Sequence, residues 1–374
     1  MPSITTSRTV CDPNCHANPR CGILAHVENG RIVRIEPGSF PQPEYDRRIC
    51  LMGTQSGPAV YNGQAGAGTL IRYGDDANNC STVMIQVDSG RGTNMRLSQI
   101  SVVPTQLNAI LFTHMHGDHS EGLPDLLKHR WMWDKKNSKV DIVCSDDQKS
   151  SYGHTVSCQN YIKHIGDAFL KSGEIEQRRV EGGGENRAKG GLSDLTKVIT
   201  FTPKEDIQVV WKSGDVVVRA IRSTHIPGHA SYRIDTPAGS VVVGGDAAND
   251  TLTLPRKHST SDQVERLAQG VDVIVHSTMH PVMGATRDSG MPAEVFNRQS
   301  GTTDLGAMAS RAKAKYLMLT HLAPSIGATS QGAYKIPGGP LSEDDFRNAV
   351  KASGYTGTVI VGRDLTTLRI PEQK

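Results

Sequence analysis

The sequence has little of what marks membrane proteins, secreted proteins or proteins that wrap nucleic acid. Aromatic residues make up only 5% of the 374 residues, and 41 Lys and Arg against 38 Asp and Glu leave a formal net charge of +3. This small positive excess excludes a strongly basic surface, so we expect no nucleic-acid partner. The longest apolar runs, such as residues 271–275, are far shorter than the roughly 20 residues of a membrane span, which excludes a membrane helix.

The first residues lack the apolar core of a signal peptide, so we expect a cytoplasmic protein. A length of 374 residues exceeds that of a typical single core and favours one large domain with an appendage. The 38 glycines and 19 prolines indicate many loops. We also predict that the chain forms a homodimer.

Cysteine is scarce and unevenly distributed. Four of the seven cysteines, Cys11, Cys15, Cys21 and Cys50, lie in the first 50 residues. A cytosolic protein keeps its thiols reduced, so these four are better interpreted as metal ligands than as disulfides. Their pattern resembles the iron–sulfur segment that opens molybdopterin oxidoreductases, although the spacing is looser and no molybdopterin domain follows. An iron–sulfur cluster, a structural zinc and a segment without metal all remain open.

The chain divides near residue 56. Residues 22–36 hold two short alternating segments on either side of Asn29-Gly30, which predicts a β-hairpin. Residues 37–65 carry Pro, Gly, Ser and Gln without periodicity, as in a linker. We therefore predict a cysteine-containing N-terminal segment, residues 1–56, and a catalytic domain, residues 57–374.

From about residue 66, short β segments repeatedly end in polar loops. These segments span residues 83–87, 108–112, 216–221, 240–243, 271–275 and 316–319. Helical patterns precede several of them, notably at residues 261–269 and 303–314. Polar side chains at the ends of buried strands are how α/β scaffolds usually present a site.

The strongest chemical signal is the segment Thr113-His114-Met115-His116-Gly117-Asp118-His119. In an extended chain His114 and His116 point to the same side. Gly117 permits a sharp turn, after which Asp118 and His119 face the same cavity. Imidazole and carboxylate ligands together suit zinc, with manganese or iron less favoured. Chance polarity in a surface loop explains this cluster poorly, since only 14 histidines occur in the chain.

The motif His-x-His-x-Asp-His after a buried strand resembles the metallo-β-lactamase superfamily. The resemblance implies an α/β fold, a four-layer αββα sandwich, with two zinc ions per catalytic site. It implies that Asp88 supports the ligand loop without binding metal. The implied ligands of the first zinc are His114, His116 and His225, those of the second are Asp118, His119 and His321, and Asp246 bridges the two. His229 rivals His225, which we favour because it lies seven residues before Tyr232.

The resemblance also implies two catalytic residues. Asp118 would orient the attacking water and accept its proton. His276 resembles the histidine that protonates the leaving group in ribonuclease Z-like members. The alternatives are that His276 is a structural histidine or that His280 takes the acid role. That family shows His-Glu-Ala-Thr where this chain reads His276-Ser277-Thr278-Met279. It also shows a downstream His-Ser-Thr where this chain reads Arg298-Gln299-Ser300.

These departures favour a zinc-dependent hydrolase that acts on a small organic molecule. The substrate would be an ester, lactone, sulfate or phosphodiester, or an activated aromatic with a leaving group. Leu123, Leu126, Trp131 and Trp133 would line its pocket, unless they are helical core, and the Gly-rich residues 181–191 would form a lid. The first alternative is a ribonuclease Z-like tRNA 3′-processing endonuclease. The second is a di-iron redox protein of the same fold, and the third is a scaffold without activity.

Overall fold

The computed structural model describes residues 5–10, 22–28, 31–38, 48–57, 59–75 and 80–370. The strands, in chain order, are β1 (Thr5–Val10), β2 (Gly22–Glu28), β3 (Arg31–Gly38), β4 (Arg48–Gly53), β5 (Gly68–Tyr73), β6 (Val83–Val87), β7 (Ala109–Leu111), β8 (Val140–Ser145), β9 (Gln148–Lys149), β10 (Thr155–Val156), β11 (Thr196–Phe201), β12 (Gln208–Ser213), β13 (Val216–Arg222), β14 (Ala230–Thr236), β15 (Gly239–Val243), β16 (Val273–Met279), β17 (Tyr316–Ala323), β18 (Ser330–Gln331), β19 (Tyr334–Lys335), β20 (Thr358–Val361) and β21 (Thr367–Arg369).

The α-helices are α1 (Thr93–Gln99), α2 (Gly117–Ser120), α3 (Leu123–Trp133), α4 (Cys158–Lys171), α5 (Glu174–Val180), α6 (Asp262–Leu267), α7 (Ala293–Phe296), α8 (Thr302–Arg311) and α9 (Glu343–Lys351). Short 3₁₀ turns occur at Pro104–Gln106, Gly191–Leu195 and Pro281–Met283. Among the described residues, no helix is both long and apolar enough to cross a bilayer.

Two seven-stranded sheets carry the fold. The first has the order β11-β8-β7-β6-β5-β4-β21 and the second the order β12-β13-β14-β15-β16-β17-β20. Within the first sheet β6, β7, β8 and β11 run parallel, and within the second β15, β16, β17 and β20 do. The carboxyl ends of parallel strands meet at one edge of a sheet, so each sheet gathers the residues that follow those strands.

Burial on both faces of the sheets explains the layering. In β6, Val83, Ile85 and Val87 pack into the core shared with the second sheet, whereas Met84 packs outward with Leu126 and other residues of α3. A third core joins the outer face of the second sheet to α6, α8 and α9. The expected αββα sandwich is therefore confirmed.

The structure extends the first sheet across the predicted boundary at residue 56. β4 pairs antiparallel with β5 and with β21, so residues 48–53 form a strand of the first sheet. Ile49 and Leu51 face the core between the sheets, while Cys50 and Met52 face the outer core. The surrounding Pro, Gly and Ser residues hid this short strand from sequence analysis. Upstream, β2 and β3 pair antiparallel on either side of residues 29 and 30, as the hairpin signal indicated.

The structure bears on two expectations about α3 and the Gly-rich segment, and for the apolar residues of α3 it favours the alternative of helical core. Leu123, Leu126 and Trp131 belong to the outer core, and Trp133 is exposed away from the cleft described below, so none lines it. The Gly-rich residues 181–191 lie against α3, where the Trp131 indole Nε1 donates to the Ala188 carbonyl at 3.0 Å. They do not cover the site.

The cysteines after residue 50 were expected to be reduced thiols. Cys144 at the end of β8 and Cys158 at the start of α4 instead form a disulfide. Both lie in the outer core of the first sheet. The pairing depends on how β8 and α4 pack, a long-range feature that the spacing of 14 residues does not reveal.

Candidate metal centre

The first sheet supplies one half of the site from two neighbouring strand ends. β6 ends at Asp88, and the segment after β7 carries the histidine motif before α2 begins at Gly117. One Asp88 carboxylate oxygen accepts the Thr113 amide at 2.8 Å, and the other accepts His119 Nδ1 at 2.9 Å. With Nδ1 engaged, His119 presents Nε2 to the centre of the site. Asp88 thus fixes the ligand loop, as the resemblance implied.

The second sheet supplies the other half from three separate strands. His225 follows β13, Asp246 follows β15, and His321 lies within β17. His321 occupies the irregularity where the register between β16 and β17 shifts, and it has a left-handed φ of 45°. A bulge of this kind redirects one side chain of a strand, and here it turns His321 toward Asp118.

Histidine and aspartate side chains from both sheets converge at close range. His321 Nε2 lies 3.1 Å from an Asp118 oxygen and 3.4 Å from an Asp246 oxygen. His225 Nε2 is 3.7 Å from the same Asp246 oxygen, and His119 Nε2 is 3.6 Å from it. Asp246 is therefore the point where the two halves meet.

Three groups within this cluster have ligand atoms close enough to share an ion. They are His114 with His116 and His225; His114 with His119 and Asp246; and Asp118 with His119 and His321, with the ligand atoms of each group within 4.8 Å of one another. The structure brings together all seven residues that the resemblance implied as ligands. His229 belongs to none of these groups.

The electrostatics of the cluster suit bound cations. Burial lowers the pKa of His114 well below its usual value and that of His225 to about 4, so both imidazoles are neutral ligands at neutral pH. Burial opposes ionisation of Asp246, but nearby His321 and His119 hold its pKa well below the usual range. His119 Nε2 and Asp246 Oδ1 are buried without a hydrogen-bond partner. Buried polar atoms without partners are costly, and a divalent cation between them would satisfy both.

His229 supports the second half as Asp88 supports the first. The Asp246 amide donates to His229 Nε2 at 3.2 Å, so the ring proton lies on Nδ1, which donates to Ser223 Oγ at 2.8 Å. Ser223 Oγ then contacts Ser231 Oγ at 2.8 Å, and Ser231 donates to the Gly244 carbonyl at 2.8 Å. This chain of hydrogen bonds fixes the turn that presents Asp246. Sequence analysis weighed His229 only as a rival ligand and missed this role.

His276 does not reach the cleft. Its side chain is fully buried beneath Gly244, and its Nδ1 donates to the Ser277 carbonyl at 2.7 Å. Burial also lowers the pKa of His276. His276 is not among the residues that line the cleft, so its role as the acid that protonates the leaving group stays a prediction. The rival His280 accepts the Val282 amide and packs against Phe346, and it does not line the cleft either.

A cleft of about 710 Å³ opens above the cluster. His116, Asp118, His225, Asp246 and His321 form its floor. The residues that replace the expected His-Ser-Thr lie beside them: the Gln299 amide donates to Asp246 at 3.3 Å, and His225 Nδ1 donates to the Arg298 carbonyl at 3.2 Å. Sequence analysis noted these residues only as a departure from the pattern, which was the available signal for their place in the site.

Of the four N-terminal cysteines, Cys50 is the one that the structure describes. Cys11, Cys15 and Cys21 lie outside the described residues. Cys50 is 1% exposed in the outer core of the first sheet, where the Thr367 hydroxyl contacts its sulfur at 3.4 Å. This burial places its thiol away from solvent and gives no support to an exposed ligand role.

The chain is similar in sequence and in fold to known proteins. No protein-family model matches the chain. Ribonuclease Z of Mycobacterium bovis (strain BCG / Pasteur 1173P2) is 25% identical over 324 residues, which cover 86% of this chain and 98% of the relative. Ribonuclease Z of Mycobacterium tuberculosis (strain ATCC 25177 / H37Ra) is 24% identical over 86% of this chain and 97% of the relative.

Solved structures give the same picture of the fold. Human tRNase Z, short form, has a TM-score of 0.54 at 16% identity, and the match covers 87% of this chain and 99% of that structure. The metallo-beta-lactamase fold protein YhfI from Bacillus subtilis has a TM-score of 0.53 at 18% identity and covers 86% of this chain and 98% of its own. The chain therefore has the metallo-β-lactamase fold, and its relatives support the ribonuclease Z branch.

The relatives overturn one expectation. Sequence analysis expected a small-molecule substrate and no nucleic-acid partner, whereas the matched relatives are ribonucleases. The error arose because net charge was summed over the whole chain. Such a sum does not describe the few groups that contact a substrate at the site.

Proposed function

We propose that this metallo-β-lactamase-fold hydrolase cleaves a phosphodiester bond in RNA at the 3′ side of a tRNA precursor, as its relatives named ribonuclease Z suggest. The observation that carries the proposal is the seven-residue cluster of His and Asp, five of which form the floor of an open cleft, in a chain that covers 98% of such a relative. An open cleft above a candidate two-metal centre suits phosphodiester cleavage.

The residues present fit two divalent cations, for which we propose zinc. His114, His116 and His225 would hold one ion, Asp118, His119 and His321 the other, and Asp246 would contact both. Imidazole and carboxylate donors in this proportion suit zinc, and the imidazole of His116 stands where di-iron members of the fold carry Glu. Two such metal ions would supply a bound water of lowered pKa and would neutralise charge on the attacked phosphate.

The residues of the chain then orient the water and the phosphate. Burial alone would raise the pKa of Asp118, but its hydrogen bond to His321 and the nearby His119 lower that pKa to about 2. Asp118 is therefore ionised at neutral pH and can accept a hydrogen bond from the attacking water, with the proton moving onto its carboxylate as attack proceeds. Gln299 donates from the cleft side to Oδ2 of Asp246, the oxygen that also faces His119, His225 and His321.

The direct test uses a precursor tRNA with a 3′ trailer and the same tRNA with a mature 3′ end. We expect cleavage at a single position near the end of the acceptor stem in the first RNA and no cleavage of the second. The Asp118→Asn variant, purified in the same way, controls for contaminating nuclease. Cleavage at scattered positions, or equal rates for native protein and variant, would contradict the proposal.

A further inference from the structure

One end of the cleft is apolar. Met279 at the end of β16, Met291, Val295 in α7 and Tyr334 in β19 line it. The two methionines are each only 4% exposed, and they belong to a separate small core that packs against Tyr334. Four distant segments of the chain thus build one wall beside the metal centre. Methionine side chains adapt to flat partners, and tyrosine offers a ring for stacking.

Charged side chains also line the cleft. Among the described residues, Arg298 is the one Lys or Arg that lines the cleft. It forms no ion pair with any acidic residue that the structure describes. Four carboxylates also line the cleft: Asp118 and Asp246 of the cluster, Glu121, and Glu294, which directly precedes Val295 in α7. Glu121 lies 3.7 Å from Arg91. The cleft lining therefore carries one arginine, Arg298, among several carboxylates.

We propose that this end of the cleft is a subsite for a single nucleotide, with its base against Met279, Met291 and Tyr334 and its phosphate paired with Arg298. The proposal rests on the proposed function and names the part of the RNA that the cleft recognises. The occupant is the nucleotide next to the bond that is cut, because the Arg298 carbonyl contacts His225 and the neighbouring Gln299 contacts Asp246.

The same features specify the state of that nucleotide. A base can stack on a protein side chain only when it is unpaired, so the subsite selects a single-stranded end. Arginine pairs with phosphate through two parallel hydrogen bonds, which fixes the position of the nucleotide. Arg298 is the one Lys or Arg in the cleft lining among the described residues, so we expect one phosphate to be paired there.

The test measures binding and cleavage with matched RNAs. The substrate is a precursor tRNA, and two derivatives each carry one abasic site, on the 5′ or the 3′ side of the cut. The Tyr334→Leu substitution should raise KM about 10-fold with kcat within about twofold, since stacking on one base contributes an effect of this size. With native protein, one of the two abasic RNAs should show the same rise in KM of about 10-fold. With that RNA, Tyr334→Leu should raise KM no further.

Arg298→Gln tests the phosphate contact. We expect KM to rise about 10-fold and the slope of log KM against log salt concentration to fall by about 1, as for loss of one phosphate contact. Tyr152→Leu and Arg347→Gln are the matched controls, because both residues are outside the cleft lining, and they should behave as native protein. Dissociation constants are measured in parallel with the Asp118→Asn variant.

The outcomes separate the two proposals. The subsite would be overturned if Tyr334→Leu raised KM further with both abasic RNAs. It would also be overturned if Arg298→Gln had the same KM and salt dependence as Arg347→Gln. If native protein cuts no RNA but the binding constants follow the expected pattern, the subsite stands and the proposed reaction falls. If neither cleavage nor binding depends on these residues, both are wrong.

Discussion

The two halves of the metal centre are built differently. The first sheet delivers four of the seven candidate ligands from one short segment, His114 to His119, supported by Asp88. The second sheet delivers His225, Asp246 and His321 from three strands that are far apart in sequence. A local cluster identifies itself by spacing, whereas a dispersed set exists only once the sheet has formed. Each half nevertheless has one buried side chain that fixes its ligands.

The largest effect is expected where the halves meet. Asp246→Ala removes the carboxylate that approaches ligands from both sheets. We expect loss of at least one metal ion and of detectable turnover, measured by elemental analysis and RNA cleavage on the same preparation. Full metal content with native turnover would show that the halves form independent sites.

Asp118→Asn should act on catalysis more than on assembly. The amide keeps the shape of the side chain but cannot accept the proton of the attacking water. We expect kcat to fall by about 10²- to 10⁴-fold, which single-turnover cleavage assays will measure. A loss below about tenfold would assign the proton to another group.

The two supporting residues offer a symmetrical test. Asp88→Asn and His229→Gln should each weaken metal affinity by about 10- to 100-fold, because both remove the partner that orients a ligand or its turn. Competition with a chelating dye measures this affinity. If only Asp88→Asn has an effect, the second half is held by its sheet alone and the comparison between the halves fails.

The smallest effect is expected one step further from the metal. Ser223→Ala leaves the His229 Nδ1 donor without its acceptor, so we expect about 1 kcal/mol lower free energy of unfolding and nearly native turnover. Urea denaturation followed by circular dichroism measures the difference. A loss of turnover as large as that of His229→Gln would mean that the serine chain positions Asp246 more tightly than its histidine does.

Sequence reasoning predicted the first half of the site better than the second. The His114 to His119 motif and the support by Asp88 required only local spacing and a family pattern. The family pattern also implied the order of the later candidate ligands, but nothing local separated a candidate such as His225, which the structure places in the cluster, from a buried residue such as His229, which it places outside. That distinction depends on which ring faces the cleft.

Other features were out of reach because they depend on packing. The end of β16 gave no sign that His276 would lie beneath Gly244, and β4 was hidden in a stretch rich in turn residues. The apolar face of the helix around Trp131 packs into the core and does not line a pocket. The true cleft wall combines Met279, Met291 and Tyr334 from segments that share no sequence pattern.

The most direct test of the account is metal-dependent cleavage of precursor tRNA. Protein stripped with a chelator should lose cleavage, and titration with zinc should restore it with an end point at about two ions per chain, the number that the two ligand groups accommodate. Simultaneous elemental analysis gives the metal content at each point. Native cleavage by protein that holds no metal, or full recovery at one ion per chain, would contradict the claim that the two halves form one dinuclear centre.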